Sequence, residues 1–469
     1  MKKVIIGIIC LLLVGAAAYF CLHRDTDKAR DLLPADATAA MMFEPAELLK
    51  GLSLKPHDIF PSTSVYKDAG ASLDFTKPVY AFTSERGLSG MALNVKDAKA
   101  LLRFASTLGF KDEESRGFRW LRGENSIGLL DEGKLLLLFA SIAQQDALRN
   151  EMVKLMKQPR HDVPIIEKAD KQDGFLRLSS TMNSLPKSQI PPGFDASGAI
   201  LNASLSIGSK DIKLSAKLED KDGNPYKGRQ EGEELLCALD GSLPGALLSE
   251  KPFAWVCIGI KGNQLLKVLR GLPRIGASLM ALNVGFFDAD LLLKAIDGDV
   301  AVVMPTADLS RKELLVAARI TNSDFLKNAE DWDTTSSTGG MSLRRRGAED
   351  FVFTAGGEKA YFGVRGGLLY IASSERLANQ FLQESGTGIP QPEVAGKYIS
   401  GSLDIAQLID AYPGFALLLR TLPQVRELAD AFESVSVTAD TPQSFEVSIQ
   451  TKKPVKGIVS NLVKLFIGK

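Results

Sequence analysis

The sequence predicts an α+β fold. It reads as two tandem copies of a mixed, mainly antiparallel sheet unit with packed helices, preceded by one N-terminal transmembrane or signal helix. Three observations predict it. An uncharged apolar run stands near the N-terminus. Short strand-like segments alternate with amphipathic helical ones through the rest of the chain. The order of those segments then returns in the second half: Ala140-Ser141 matches Ala372-Ser373, and Val95 matches Ile320.

At 469 residues the chain exceeds one ordinary core. Its 45% hydrophobic and 24% charged residues are those of a packed protein. Lys+Arg and Asp+Glu are both 56, so the basic excess of a nucleic-acid binder is missing.

The apolar run, Val4 to Leu22, follows Lys2 and Lys3. As a helix it is about 28 Å long at roughly 1.5 Å per residue, enough for a hydrocarbon core of about 30 Å. The lysines favour a cytoplasmic N-terminus, which places a single-pass protein in the cell membrane with its body periplasmic or extracellular. A cleaved signal peptide is the alternative, since Ala16 and Ala18 form an A-x-A site. The expected divisions are a signal-anchor helix 1–22, a charged spacer 23–32, a first unit 33–245 and a second unit 250–469. Cys10 and Cys21 lie in the apolar run and follow Ile9 and Phe20, where lipoprotein processing needs a small residue. In the exported body Cys237 and Cys257 could form a disulfide, or Cys257 could be a free buried thiol in "FAWVCIGI".

In chain order, a strand over 38–43 leads to a helix opening at Pro45, where proline suits the first turn. "KPVYAFTS" and "SGMALNV" are strands around a Glu85-Arg86-Gly87 turn. Ala98, Leu101, Leu102 and Ala105 have helical spacing, and Gly109 stops that helix. "FRWLR", "SIGLLD" and "KLLLLFA" are strands, followed by a helix over 144–156. "GFLRLSS" is a strand, and residues 198–220 form a hairpin followed by a helix.

The second half repeats this order. "FAWVCIGI" leads into a Leu-Leu-Lys helix. "DVAVVMP" and "ELLVAARI" are strands, and "TNSDFLKNAEDW" is a helix capped by Asn322 or Ser323. Four more strands, "MSLRRRG", "DFVFTAG", "KAYFGVR" and "GLLYIAS", precede a helix from Glu375 to Glu384. A strand over 398–403 and a hairpin over 432–451 lead into the C-terminal helix.

Leu33-Pro34-Ala35-Asp36-Ala37, followed by a strand of small and apolar residues, resembles exported bacterial proteins of the Bacteroidota type, about 500 residues long and of unknown function, whose mature part opens with this motif. The resemblance implies export and a strand-rich α+β body, with no established reaction. Several such proteins are lipoproteins, whereas this chain lacks a suitably placed cysteine.

Chemistry-bearing motifs are sparse. No phosphate loop, H-E-x-x-H or G-x-S-x-G occurs, and no cofactor is implied. A zinc site from His57, His161 and carboxylates is conceivable. Ser64-Val65-Tyr66-Lys67 and Ser184-Leu185-Pro186-Lys187 fit S-x-x-K without the accompanying S-D-N and K-T-G elements. Asp220, Asp222 and Asn224 begin like a calcium loop, but the glycine comes early, which favours a polar turn. Gly298 reads as a helix C-cap and Gly366-Gly367 as a turn. Arg344, Arg345 and Arg346 form the densest basic spot, either a surface for a glycan, lipid headgroup or protein partner, or a solvated edge strand. Ile458, Leu462, Leu465 and Phe466 share one face of the C-terminal helix, which packs on its own sheet or lies on a membrane.

These readings favour a non-catalytic binding or scaffolding protein anchored in the membrane, with an unknown envelope protein or glycan as partner. An envelope hydrolase with its site between the halves is one alternative, and a periplasmic assembly factor another. No catalytic residue is identified.

Overall fold

The computed structural model describes residues 27–52, 65–159, 161–184, 194–228, 234–241, 252–272, 275–276, 288–311, 313–327, 329, 337–338, 341–384, 394–411 and 431–458. The chain is α+β and its strands pair antiparallel. Val4–Leu22 lies outside the described residues, among which no helix is long and apolar enough to cross a membrane.

The described chain divides into two compact units. The first takes 27–184, 197–225 and 451–458, and the second takes 194–196 and the described part of 226–450. The C-terminal segment thus belongs with the first unit: the Thr451 and Val455 amides donate to the Lys210 and Ser209 carbonyls at 2.8 and 3.0 Å. The expected C-terminal helix is described only over 455–458.

In the first unit the order is β1 (Ala37–Phe43), α1 (Pro45–Leu52), α2 (Val65–Ser72), β2 (Val79–Ser84), β3 (Ser89–Asn94), α3 (Ala98–Thr107), β4 (Lys111–Ser115), β5 (Phe118–Arg122), β6 (Ser126–Asp131), β7 (Lys134–Phe139), α4 (Ile142–Lys157), α5 (Pro164–Asp170), β8 (Leu176–Thr181), β9 (Ile200–Ile207) and β10 (Asp211–Glu219). They form one antiparallel sheet in the spatial order β10-β9-β8-β1-β2-β3-β7-β6-β5-β4. On one face Met42, Phe82, Leu136 and Leu138 pack with Met152, Leu155 and Ile166 of α4 and α5. On the other, Met91, Leu93, Leu135 and Leu137 pack with Leu101 and Ala105 of α3. Burial on both faces explains why "KLLLLF" is apolar at successive positions rather than alternate ones.

Local chemistry sets the helix ends. The Asp97 carboxylate caps α3 by accepting from the Lys99 and Ala100 amides at 2.8 and 3.1 Å. The Gln144 Oε1 atom accepts from the Ser141 amide and hydroxyl at the start of α4. Pro164 opens α5.

The second unit contains β11 (Ala254–Lys261), α6 (Gly262–Arg270), α7 (Ala289–Ala295), β12 (Ile296–Met304), β13 (Leu315–Ile320), β14 (Ser337–Thr338), β15 (Met341–Arg345), β16 (Asp350–Ala355), β17 (Glu358–Arg365), β18 (Leu368–Ala372), α8 (Glu375–Glu384), β19 (Ile399–Asp404), α9 (Ile405–Ala411), β20 (Phe432–Ala439) and β21 (Ser444–Thr451). The pairings give β20-β19-β11-β12-β13-β18-β17-β16-β15-β14, all antiparallel. Cys257, Ala317, Tyr370 and Ala372 pack with Leu377 and Phe381 of α8 on one face. Ile320, Phe351 and Phe362 pack with Phe325 and Leu326 on the other.

Several expectations change. "KDEES" forms an edge strand, β4, and "PIIEKAD" forms α5; neither was expected. No helix follows β10 among the described residues. The helix expected over 321–332 starts later, as a 3-10 turn at Asp324–Leu326 leading into helical Lys327 and Ala329, with 328 and 330–332 outside the described residues. Gly298 is no C-cap. It lies within β12 at φ 118°, where the pairing with β13 shifts register between Ile296 and Val300. The charged spacer expected to end at residue 32 folds earlier, because Ala29 and Leu32 are fully buried.

Candidate functional site

The arginine run divides on the sheet edge. Successive strand residues point to opposite faces, so Arg344 and Arg345 diverge. Arg345 turns onto its own hairpin, donating from Nε to the Gly347 carbonyl at 2.9 Å and from its terminal nitrogen to the Ala348 carbonyl. Arg346 donates to the Asn379 Oδ1 atom of α8 at 2.8 Å and lies 5.0 Å over the Tyr361 ring, with Asp350 and Glu375 at 3.8 and 3.6 Å. These two guanidinium groups hold a turn and a helix, and Arg344 is exposed on the strand.

Cys237 and Cys257 are free thiols, so the disulfide alternative is not formed. The Cys237 amide donates to the Gly259 carbonyl at 3.0 Å, which seats Cys237 two residues along from Cys257 on the neighbouring chain. Burial pushes both thiols up, with nearby Asp297 and Asp299 adding to it, so neither is poised as a thiolate.

A polar cluster not foreseen from the sequence surrounds Asp299. Its two carboxylate oxygens accept from the Asp240 and Gly241 amides at 3.0 and 3.2 Å. Arg319 pairs with the Asp240 carboxylate at 2.5 Å. Burial, then the neighbouring Asp240 carboxyl, pushes Asp299 up to about 6, against the lowering effect of the two amides. Chemically this is an acid that holds a proton at mildly acidic pH, but both oxygens are committed to the loop over 239–241. The only sequence signal was an aspartate inside the apolar strand "DVAVVM".

In the first unit the Tyr80 hydroxyl donates to Asp27 Oδ2 at 2.5 Å, and Asn94 Nδ2 donates to Asp27 Oδ1 at 2.8 Å. The Ala29 amide donates to Asn94 Oδ1 at 3.2 Å, and Arg30 pairs with Asp170 at 2.6 Å. In the second unit the Tyr370 hydroxyl donates to Asp350.

Asp220 accepts from the Asp222 and Asn224 amides at 2.8 and 2.9 Å, which holds it below the usual carboxylate range and makes the segment a self-bonded turn rather than a calcium loop. His161 lies beside the Pro159 carbonyl, while His57, Ser64 and Lys187 fall outside the described residues. Among the described residues no three His, Cys, Asp or Glu side chains converge as a metal site.

Two cavities are lined by apolar groups. One, of about 40 Å³, lies between α3 and the sheet, under Phe104, Leu108 and Leu121. The other, of about 270 Å³, lies over Val256, Val302, Leu403 and Val437. Neither contains an ionisable side chain.

No family model and no curated protein matches the chain. Among solved structures, crystal form IV of TP0453 is 14% identical with a TM-score of 0.28, covering 40% of this chain and 79% of that one. The DNA polymerase III subunit beta from Pseudomonas aeruginosa is 9% identical with a TM-score of 0.13, covering 88% and 99%. Overlap this low carries neither fold nor function across.

Proposed function

We propose that this chain is a membrane-anchored protein of the cell envelope whose exported body consists of two copies of one α+β unit and acts by binding or scaffolding. Support for the duplication comes from the strand orders. Taking β1, β2 and β3 with β11, β12 and β13, β4–β7 with β15–β18, and β8 and β9 with β19 and β20 makes the two spatial orders coincide, with β14 added at one edge of the second order and β10 at the opposite edge of the first. Register agrees as well. The Val95 amide donates to the Gly133 carbonyl at 2.7 Å, and the Ile320 amide donates to the Gly367 carbonyl at 3.0 Å. This pairing supports the Val95–Ile320 match. On the next strand the pairings align Leu138, opposite Gly90, with Ala372, opposite Leu315, two residues from the Ala140–Ala372 match.

The observation that carries the binding reading is that the sheet recurs and the polar clusters do not. In that register Tyr80 corresponds to Ala301, Asp350 to Trp120 and Tyr370 to Leu136. What the chain repeats is a scaffold, and the ionisable groups of these clusters are engaged in holding it together. The test is cellular. The account expects the full-length chain to stay with membranes through an alkaline carbonate wash, and its body to be digested by protease added to intact spheroplasts. A body cut only after lysis would refute export. Crosslinking in native membranes followed by affinity capture then identifies the partner.

A hydrolase reading has one observation in its favour, the adjacent carboxyl groups of Asp240 and Asp299. It predicts that Asp299→Asn abolishes a hydrolytic activity while leaving the fold intact.

A further inference from the structure

Residues 27–33, close behind the apolar run, are packed into the first unit. Ala29, Leu32 and Leu33 are fully buried. Asp27 is clamped by the Tyr80 hydroxyl and the Asn94 amide at 2.5 and 2.8 Å, and the Ala29 amide closes back on Asn94 at 3.2 Å. Only residues 23–26 separate Leu22 from that clamp. Fully extended, four residues reach about 14 Å at roughly 3.5 Å each.

The clamp also has a direction. Asn94 ends β3, and the chain beyond it is tied to its neighbours: the Val95 amide to the Gly133 carbonyl at 2.7 Å and the Lys96 amide to the Ser72 carbonyl at 2.8 Å. These turns share one end of the central strands. The β2–β3 turn at Glu85–Gly87 lies at the other end, six strand residues or about 20 Å away at roughly 3.3 Å each.

We propose that the end of the first unit's sheet carrying Asn94, Val95 and Gly133 is held against the lipid bilayer surface by this four-residue tether, leaving the Glu85 end turned away for partners. The inference rests on the anchor reading above. It adds an interaction surface and an orientation: a headgroup layer under the turns at 95–99 and 131–134, and open solvent at 85–88 and 123–125.

The test uses the full-length chain in vesicles of phosphatidylethanolamine and phosphatidylglycerol doped with a lipid bearing a photoactivatable headgroup. After irradiation, mass spectrometry locates the lipid adducts. The expected result is adducts on peptides containing 95–99 and 131–134, at least several-fold over those containing 85–88 and 123–125. Equal labelling of both ends, or none on the body, in protein that floats with the vesicles overturns the proposal and leaves the anchor standing. Protein that fails to float overturns the anchor reading, and this inference with it. A second chain with twenty Gly and Ser residues inserted after Thr26 still floats but loses the adducts several-fold. Adducts that persist in it overturn the tether as their cause.

Discussion

Glu132 and Gly133 are the two central residues of the turn between β6 and β7, at φ 45° and 78°. The turn between β17 and β18 places Gly366 and Gly367 at 58° and 78°. A left-handed conformation costs a non-glycine residue about 1–2 kcal/mol, partly offset by the greater unfolded-state freedom of glycine. Glu132→Gly is therefore expected to stabilise the protein by up to about 1 kcal/mol, read as a higher urea midpoint at constant slope. The Asp27 clamp gives the opposite prediction. Tyr80→Phe removes one donor from a part-buried carboxylate and should cost about 1–2 kcal/mol in the same measurement.

Asp299 makes stability depend on pH. Its folded value, about 6, lies above the ordinary 3.8, so the folded state binds its proton more tightly than the unfolded state. The stability it contributes is fully present below pH 4 and is lost as pH rises through 6. Asp299→Asn should flatten that decline across the window from pH 4 to 6, and an unchanged slope would assign it to other groups. None of this was legible in the sequence, because one aspartate in an apolar strand shows nothing of the loop amides that fold over it.

At the scale of elements, legibility followed the source of each element's stability. Strands buried on both faces and helices with an apolar stripe were readable, as with β5 to β7, α3 and α8. The strand β4 was not, because "KDEES" is an edge strand stabilised by backbone pairing to β5, with Arg119 on Asp112 at 2.7 Å. Its charges suit an edge that should pair with nothing else. The short helix α5 was missed because its buried Ile165, Ile166 and Ala169 span too few turns to show a period. The α3 cap offers a clean test: Asp97→Ala should cost about 1 kcal/mol, measured by thermal or urea unfolding. The arginine run was readable as a basic surface or as a solvated edge strand, and its side chains differ in their surroundings. Sequence adjacency on a strand places neighbours on opposite faces, and the hairpin and α8 engage Arg345 and Arg346.

At the scale of the whole chain, segment order suggested the repeated unit proposed above before any register was known, and the pairings place one of its matches two residues away. The candidate site was far less legible than the fold. The groups that came together, Asp27 with Tyr80 and Asn94, and Asp299 with the loop at 239–241, are distant in sequence and match no motif. The central claim is that one unit was used twice. It is tested most directly by a crystal structure of the full chain in which the two units are superposed strand by strand. The account predicts that β1–β9 fall on β11–β13 and β15–β20 in the stated register, with the Val95–Gly133 and Ile320–Gly367 hydrogen bonds coinciding. A different strand order in either unit, or β15–β18 joined to the sheet at a position other than beside β13, would contradict it.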